Sequence, residues 1–180
     1  HHRSTASGRW RFHSWDAEKG LHHVNDDRTG RNDSGGPTNL HHDLVQNTEY
    51  RLQFADRAYA ALRWGPLSPT AARHSYRHIS DLISLPLRAE SARWGDNHRA
   101  RPYTRLDWLE TRHQLFGTST QVSSPLFDYF ERRSKIVLDQ FRRRGWLGAL
   151  EPPTFNRHGG FVDAGFQATL SAEPGELVYY

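Results

Sequence analysis

Cysteine and methionine are both missing from the 180 residues, and lysine occurs only at Lys19 and Lys135. Without thiols the chain can form no disulfide, no cysteine-ligated zinc site and no thiol nucleophile, and its redox compartment stays open. A reading frame begins with methionine, so a chain that has none is expected to be an internal or processed piece, with targeting signals or part of a site outside it. No run approaches the roughly 18 uninterrupted apolar residues of a membrane span, and the first residues carry no apolar signal core. No crossing of a bilayer is therefore expected from this stretch. The patterns G-x-S-x-G, G-x-x-x-x-G-K-[ST] and G-x-G-x-x-G are absent as well, which removes the commonest hydrolase and nucleotide fingerprints.

What is present suits one globular domain with a piece of a second. Only 36% of the residues are hydrophobic, but 6 Trp, 7 Tyr and 9 Phe are among them. Aromatic side chains bury on the order of 150–250 Å² each, so a core is within reach and disorder throughout is not expected. Lys+Arg number 24 against 20 Asp+Glu, a net charge of +4 carried almost wholly by arginine. An arginine bias also accompanies GC-rich coding, so charge alone gives nucleic-acid binding little weight.

Residues 9–15 alternate polar and large apolar side chains, the period of a half-buried strand, and Asp16 stands at its end. Residues 25–37 are dense in Asn, Asp, Ser and Gly without periodicity, which predicts a long loop, functional or mobile. Helical patterns follow over 40–46 and then from Thr48, read as an N-cap, to about Arg63, with Leu52, Ala55, Tyr59 and Leu62 on one face. Ser68-Pro69 starts a third helix whose apolar stripe is Ala72, Tyr76, Ile79 and Ile83, and Pro86 should kink or end it. A further turn or two runs to Trp94 and stops at Gly95. Thr104 and Asp107 form a capping box with Asp in the usual Glu position, opening a helix with Leu106, Leu109 and His113 on one side. Ser124-Pro125 repeats the start signal for the longest helix, which should bury Phe127, Phe130, Val137, Leu138 and Phe141 and end at Gly145. From Pro152 the composition turns β-prone, with short segments separated by Gly-rich turns.

An acidic pair at a strand end, Asp16 and Glu18, is a candidate Mg²⁺ site, because strand ends hold carboxylates rigidly and Mg²⁺ takes one or two of them beside phosphate oxygens. From spacing alone, a helix cap or turn former is the commoner use of such an acid. The loop's carboxylates lack the order of a calcium loop, and a solvated loop is the better reading. His74 and His78 share a helix face at zinc-binding spacing, but with no third ligand in view they read as surface histidines. The pairs His22-His23 and His41-His42 are expected to point to opposite sides and not to chelate. Arg132, Arg133, Lys135, Arg142, Arg143 and Arg144 make the last helix basic, which reads as the complement of the helix dipole more readily than as a nucleic-acid surface.

The string Gly8-Arg9-Trp10-Arg11-Phe12-His13-Ser14-Trp15-Asp16-Ala17-Glu18 resembles the strand and W-D-x-[DE] motif of the CotH (spore coat protein H) kinase-like family. Three further stretches are similar to that family in order and spacing. They are Leu40-His41 through Asn47-Thr48-Glu49-Tyr50-Arg51-Leu52-Gln53-Phe54-Ala55-Asp56-Arg57, then Ala89-Glu90-Ser91-Ala92-Arg93-Trp94-Gly95-Asp96, and Arg133 through Val137-Leu138-Asp139-Gln140-Phe141. The resemblance covers roughly residues 8–150. It implies an atypical protein-kinase-like fold in which Asp16 binds the Mg²⁺ that holds ATP, with Glu18 as a second acid. The family's nucleotide-clamping Lys and its catalytic-loop Asp and Asn precede this motif, so no catalytic residue is expected within the chain. Within residues 151–180, the segment from about residue 152, with Gly159-Gly160, Phe166-Gln167-Ala168-Thr169-Leu170 and Leu177-Val178-Tyr179-Tyr180, is similar to the start of the small Ig-like modules, akin to the C-terminal module of chitobiase-type enzymes, that follow such domains in large surface proteins. As an incomplete module it is expected to be poorly ordered.

The expected class is α+β: residues 1–150 form a mainly helical C-terminal lobe with one N-terminal strand, and 151–180 an incomplete β-sandwich module. The implied activity of a parent protein is Mg²⁺-dependent transfer of the ATP γ-phosphoryl to protein Ser or Thr, at the cell surface. The fragment alone is expected to be inactive. The alternative is a non-catalytic surface or adhesion protein that uses the lobe as a scaffold. Nucleic acid is not an expected partner.

Overall fold

A computed structural model of the protein describes residues 20–148, 150–157, 160–172 and 174–178. The strand expected over residues 9–15 lies outside the described residues. The described chain is mainly helical. Helices α1 (Pro37–Leu44) and α2 (Thr48–Tyr59) come first, and α2 runs directly into a π-helical segment (Ala60–Trp64). Then follow α3 (Pro69–Ile83), α4 (Pro86–Trp94), α5 (Arg105–Leu115) and α6 (Tyr129–Arg143), and last two short strands, β1 (Thr154–Phe155) and β2 (Leu170–Ser171).

Local chemistry sets most of these boundaries. Ser68 caps α3 through its Oγ, with Pro69 in the first turn, where its missing N–H costs nothing. Pro86 opens α4, so the helix that precedes it has already ended at Ile83. Thr104 and Asp107 close a complete capping box at α5, the Asp107 carboxylate accepting the Thr104 N–H at 2.8 Å. The cap of α2 is Asn47, one residue before the expected Thr48, because the Asn47 Oδ1 accepts the Tyr50 N–H at 3.0 Å. At the end of the π-helical segment Gly65 is required by space, since a Cβ there would stand 2.6 Å from the Ala60 carbonyl oxygen.

Helix α6 begins at Tyr129, later than Ser124-Pro125 predicted. Asp128 takes a left-handed conformation (φ 54°), which Asp tolerates better than most residues, and interrupts the helical run. Its N–H is donated to the Gln114 carbonyl at 2.8 Å. Ser124 and Pro125 instead build a turn: the Ser124 hydroxyl donates to Gln114 Oε1 at 2.6 Å, and the Pro125 carbonyl accepts the Val24 N–H at 2.9 Å.

Helix α6 ends as expected, at Gly145 with φ 71°. The Trp146 N–H reaches the Phe141 carbonyl at 3.1 Å and the Gly145 N–H the Arg142 carbonyl at 2.9 Å. These are the two bonds of a Schellman motif, and the Phe141 and Trp146 rings make its hydrophobic contact at 5.6 Å.

Among the described residues the core has two clusters, and α6 contributes to both. One holds Ala58, Tyr59, Leu62, Leu138 and Leu147, with Phe54, Val137 and Phe141 packed against it. The other holds Leu115, Phe116 and Phe130, with Leu21, Ala72 and Tyr76 at its edge. Tyr76 and Phe116 stand 5.3 and 5.7 Å from the Phe130 ring, within the range of favourable aromatic pairs.

Several expected core faces are rotated away. Ile79 is 55% exposed and Ile83 41%, while Ser80 is buried at 2%. The packed stripe of α3 therefore runs Ala72, Tyr76, Ser80 at steps of four, and the isoleucines lie on the strip beside it. Leu52 and Leu106 are likewise exposed, but the rest of the expected α2 face, Ala55, Tyr59 and Leu62, does pack in the core, joined by Phe54 and Ala58, and α5 buries its C-terminal end at Leu115 and Phe116.

The stretch after residue 150 pairs Thr154 with Ser171 and Phe155 with Leu170 in a two-stranded antiparallel ladder. Asn156 reinforces it, donating from Nδ2 to the Gln167 carbonyl and accepting the Thr169 N–H. Phe161, Val162, Phe166 and Leu177 are exposed. Coarsely, the chain is α+β: a helical body followed by a small β element.

Candidate functional site

Asp16 and Glu18, the candidate metal ligands, lie outside the described residues. Among the described residues no three His, Asp or Glu side chains gather into a metal-holding group. His74 and His78 are both exposed on α3.

The segment that follows the acid motif is firmly held where its description begins. Leu21 packs on the second core cluster, and Val24 is 1% exposed. Arg133 of α6 donates Nη1 to the carbonyls of Val24 at 2.7 Å and Asp26 at 2.8 Å. Gln140, two turns further along the same helix, donates Nε2 to the carbonyls of Asn25 and Asp26 at 3.3 and 3.0 Å. Three successive backbone carbonyls are thus held by two side chains of α6. The buried Val24 carbonyl in particular needs such a partner, and a charged donor supplies the stronger of the bonds.

Arg133 thus serves the fold itself, and so do the basic residues at the C-terminal end of α6. Arg144 donates Nε to the Thr29 hydroxyl at 2.9 Å, and Arg143 stands 4.0 Å from the Asp27 carboxylate. Arg142 donates to Asp139 at 2.7 Å, to the Tyr59 phenol at 3.1 Å and to Glu151, which Arg63 also engages. The buried Tyr59 hydroxyl is satisfied in this way, and the stretch after α6 is tied back to α2. Asp27, a carboxylate of the supposed loop of oxygens, accepts the Thr29 hydroxyl at 2.6 Å and the Thr29 N–H at 2.9 Å. These two bonds, hydroxyl first, hold its pKa below the ordinary carboxylate value.

Between this held loop, α1, α2 and α6 opens a cleft of about 400 Å³. Phe54, Phe141, Trp146 and Val137 give it an apolar wall, Arg28, Arg31 and Arg133 a cationic rim, and Pro37 and Thr38 bring the first turn of α1 to its edge. His41 and His42 both line it, although adjacent residues on a helix stand about 100° apart. The expectation that they face opposite sides fails because the cleft wraps far enough around α1 to meet both. Their rings stand edge-on to Trp146 at 4.4 and 5.6 Å.

His41 is held on one side of the cleft. Its Nδ1 shares a hydrogen bond with the Tyr50 hydroxyl at 3.0 Å, and its Nε2 is buried without a partner among the described residues. Burial, and next the neighbouring His42 charge, push its pKa below the ordinary imidazole value, so the ring is neutral at pH 7.

Sequence patterns alone did not indicate this cleft. The one legible signal was Gly145: a C′ glycine followed by an apolar residue predicts that Trp146 folds back onto Phe141. No helix among the described residues is long and apolar enough to cross a membrane. No protein-family model, no curated protein and no solved structure matches the chain.

Proposed function

We propose that the chain is the C-terminal part of a CotH-like atypical kinase domain, a helical platform behind a metal-binding Asp16. The parent activity in this reading is transfer of the ATP γ-phosphoryl to a protein Ser or Thr hydroxyl, in a surface protein whose next module begins after residue 150. Asp16, with Glu18 beside it, holds Mg²⁺, which neutralises charge on the phosphate oxygens.

The observation that supports this reading best is the clamp on residues 24–26. Phosphoryl transfer is largely positioning and electrostatic stabilisation, so a metal-holding carboxylate needs a rigid mount. A short way past the acid motif, Arg133 and Gln140 fix the backbone to the helix that joins both core clusters. The residues that clamp nucleotide and accept the substrate proton precede the motif in the family, and the 180 residues by themselves are proposed to be inactive.

The test is incorporation of label from γ-labelled ATP with Mg²⁺, using the chain expressed with the sequence its gene places before His1. Transfer that disappears in Asp16→Ala, with helical circular dichroism unchanged, is the expected result. If that protein neither binds ATP nor transfers phosphate, the kinase reading fails and the non-catalytic scaffold replaces it.

A further inference from the structure

We propose that the cleft between α1, α2 and α6 binds a planar aromatic acid, a ring carrying a carboxylate or phosphate group. The volume, about 400 Å³, lies in the range of small-molecule sites, which are mostly apolar with a few convergent polar groups. A flat ring is what the Phe54, Phe141 and Trp146 wall can cover, by stacking or edge-on contact.

The anionic group follows from the charges. Among the described residues no carboxylate lines the cleft, while three guanidiniums do. Arg28 has no ion-pair partner among the described residues; Arg31 has only a loose, exposed one, Asp33 at 3.7 Å; and Arg133 spends one nitrogen on carbonyl oxygens that leave its charge uncompensated. The nearby Asp27 carboxylate is taken up by Thr29 and by Arg143. The first turn of α1 carries no acidic residue, so the positive end of that helix adds to the same field.

His41 also lines the cleft, edge-on to Trp146 at 4.4 Å, and completes its aromatic wall beside Phe54. The inference uses neither Asp16 nor phosphoryl transfer and stands or falls apart from the kinase reading.

Calorimetric titration of the full chain with 2-naphthoate, 2-naphthyl phosphate, neutral 2-naphthalenemethanol and inorganic phosphate tests it. The expected result is that at least one naphthyl anion binds, with the alcohol and inorganic phosphate each at least roughly tenfold weaker, the effect of one charge-assisted contact. The anion that binds tighter identifies carboxylate or phosphate as the natural group. Arg28→Ala/Arg31→Ala, two exposed loop positions whose loss leaves the core intact, should weaken the anion by roughly tenfold and leave the alcohol unchanged. The proposal is overturned if the alcohol binds as well as the anions, if the double variant binds like the native chain, or if no naphthyl probe binds.

Discussion

Helices α3 and α6 are each fifteen residues long and each carries apolar residues along one side. Helix α6 buries Phe130, Ser134, Leu138 and Gln140, whereas α3 buries only Ser80. Period fixes which residues share a face; it does not supply a partner for that face. Helix α6 meets α2, α3, α5 and the loop of residues 24–29, so polar positions such as Arg133, Ser134 and Gln140 find partners there beside the apolar ones. Helix α3 meets α6 and the end of α5 through Ala72, Arg73, Tyr76 and Asp81, and Ile79, Leu82 and Ile83 remain exposed.

The strongest way to break this comparison is a pair of truncations. Leu138→Ala should cost about 2–5 kcal/mol in denaturant unfolding, the range for a large aliphatic removed from a packed core. Ile79→Ala should stay within about 0.5 kcal/mol. Equal losses would mean that the α3 strip is covered after all.

The next effect in size is that of the clamp. Arg133→Ala strips the Val24 and Asp26 carbonyls of a charged donor and should cost about 1–3 kcal/mol, with faster proteolytic cleavage in residues 25–36. Arg132→Ala, which loses only an exposed bond to the Phe127 carbonyl at 3.2 Å, should leave the cleavage rate unchanged.

A smaller effect sharpens the account of α1. His41 has its folded pKa below the ordinary value of 6.5, through burial first and His42 second. Between those two values the unfolded chain holds a proton that the folded chain does not, so stability falls as pH drops through the window and is flat above it. Denaturant midpoints measured from pH 7.5 down to 5 should show this slope, and His41→Phe should flatten it. Smaller still, Asn47→Ala should cost about 1 kcal/mol, the usual worth of a helix cap, read by the same unfolding transition.

The features legible in the sequence were those written in one or two neighbouring residues. Ser68-Pro69, the Thr104/Asp107 box, Pro86 and Gly145 act through their own backbone, so the pattern gives both location and mechanism. The rotation of a helix about its axis was not legible, because it depends on the partner; Ile79 and Ile83 were read into the apolar stripe of α3 for that reason. Ser124-Pro125 carried a true start signal, yet Asp128 took the left-handed conformation and the signal became a turn. The cleft joins Arg28, His41, Phe54 and Trp146 from four separate elements, and only Trp146 had a local cue. Asp16 and Glu18 were singled out by the sequence and lie outside the described residues.

The central functional proposal is a CotH-like kinase domain in which the α6 clamp on residues 24–26 supports phosphoryl transfer. Its direct test is phosphoryl transfer from labelled ATP by Arg133→Ala, made with the same upstream sequence as the native protein. The account predicts a fall of roughly tenfold or more, the consequence of a misplaced metal ligand, with helical content unchanged. Transfer at the native rate in that variant would contradict it.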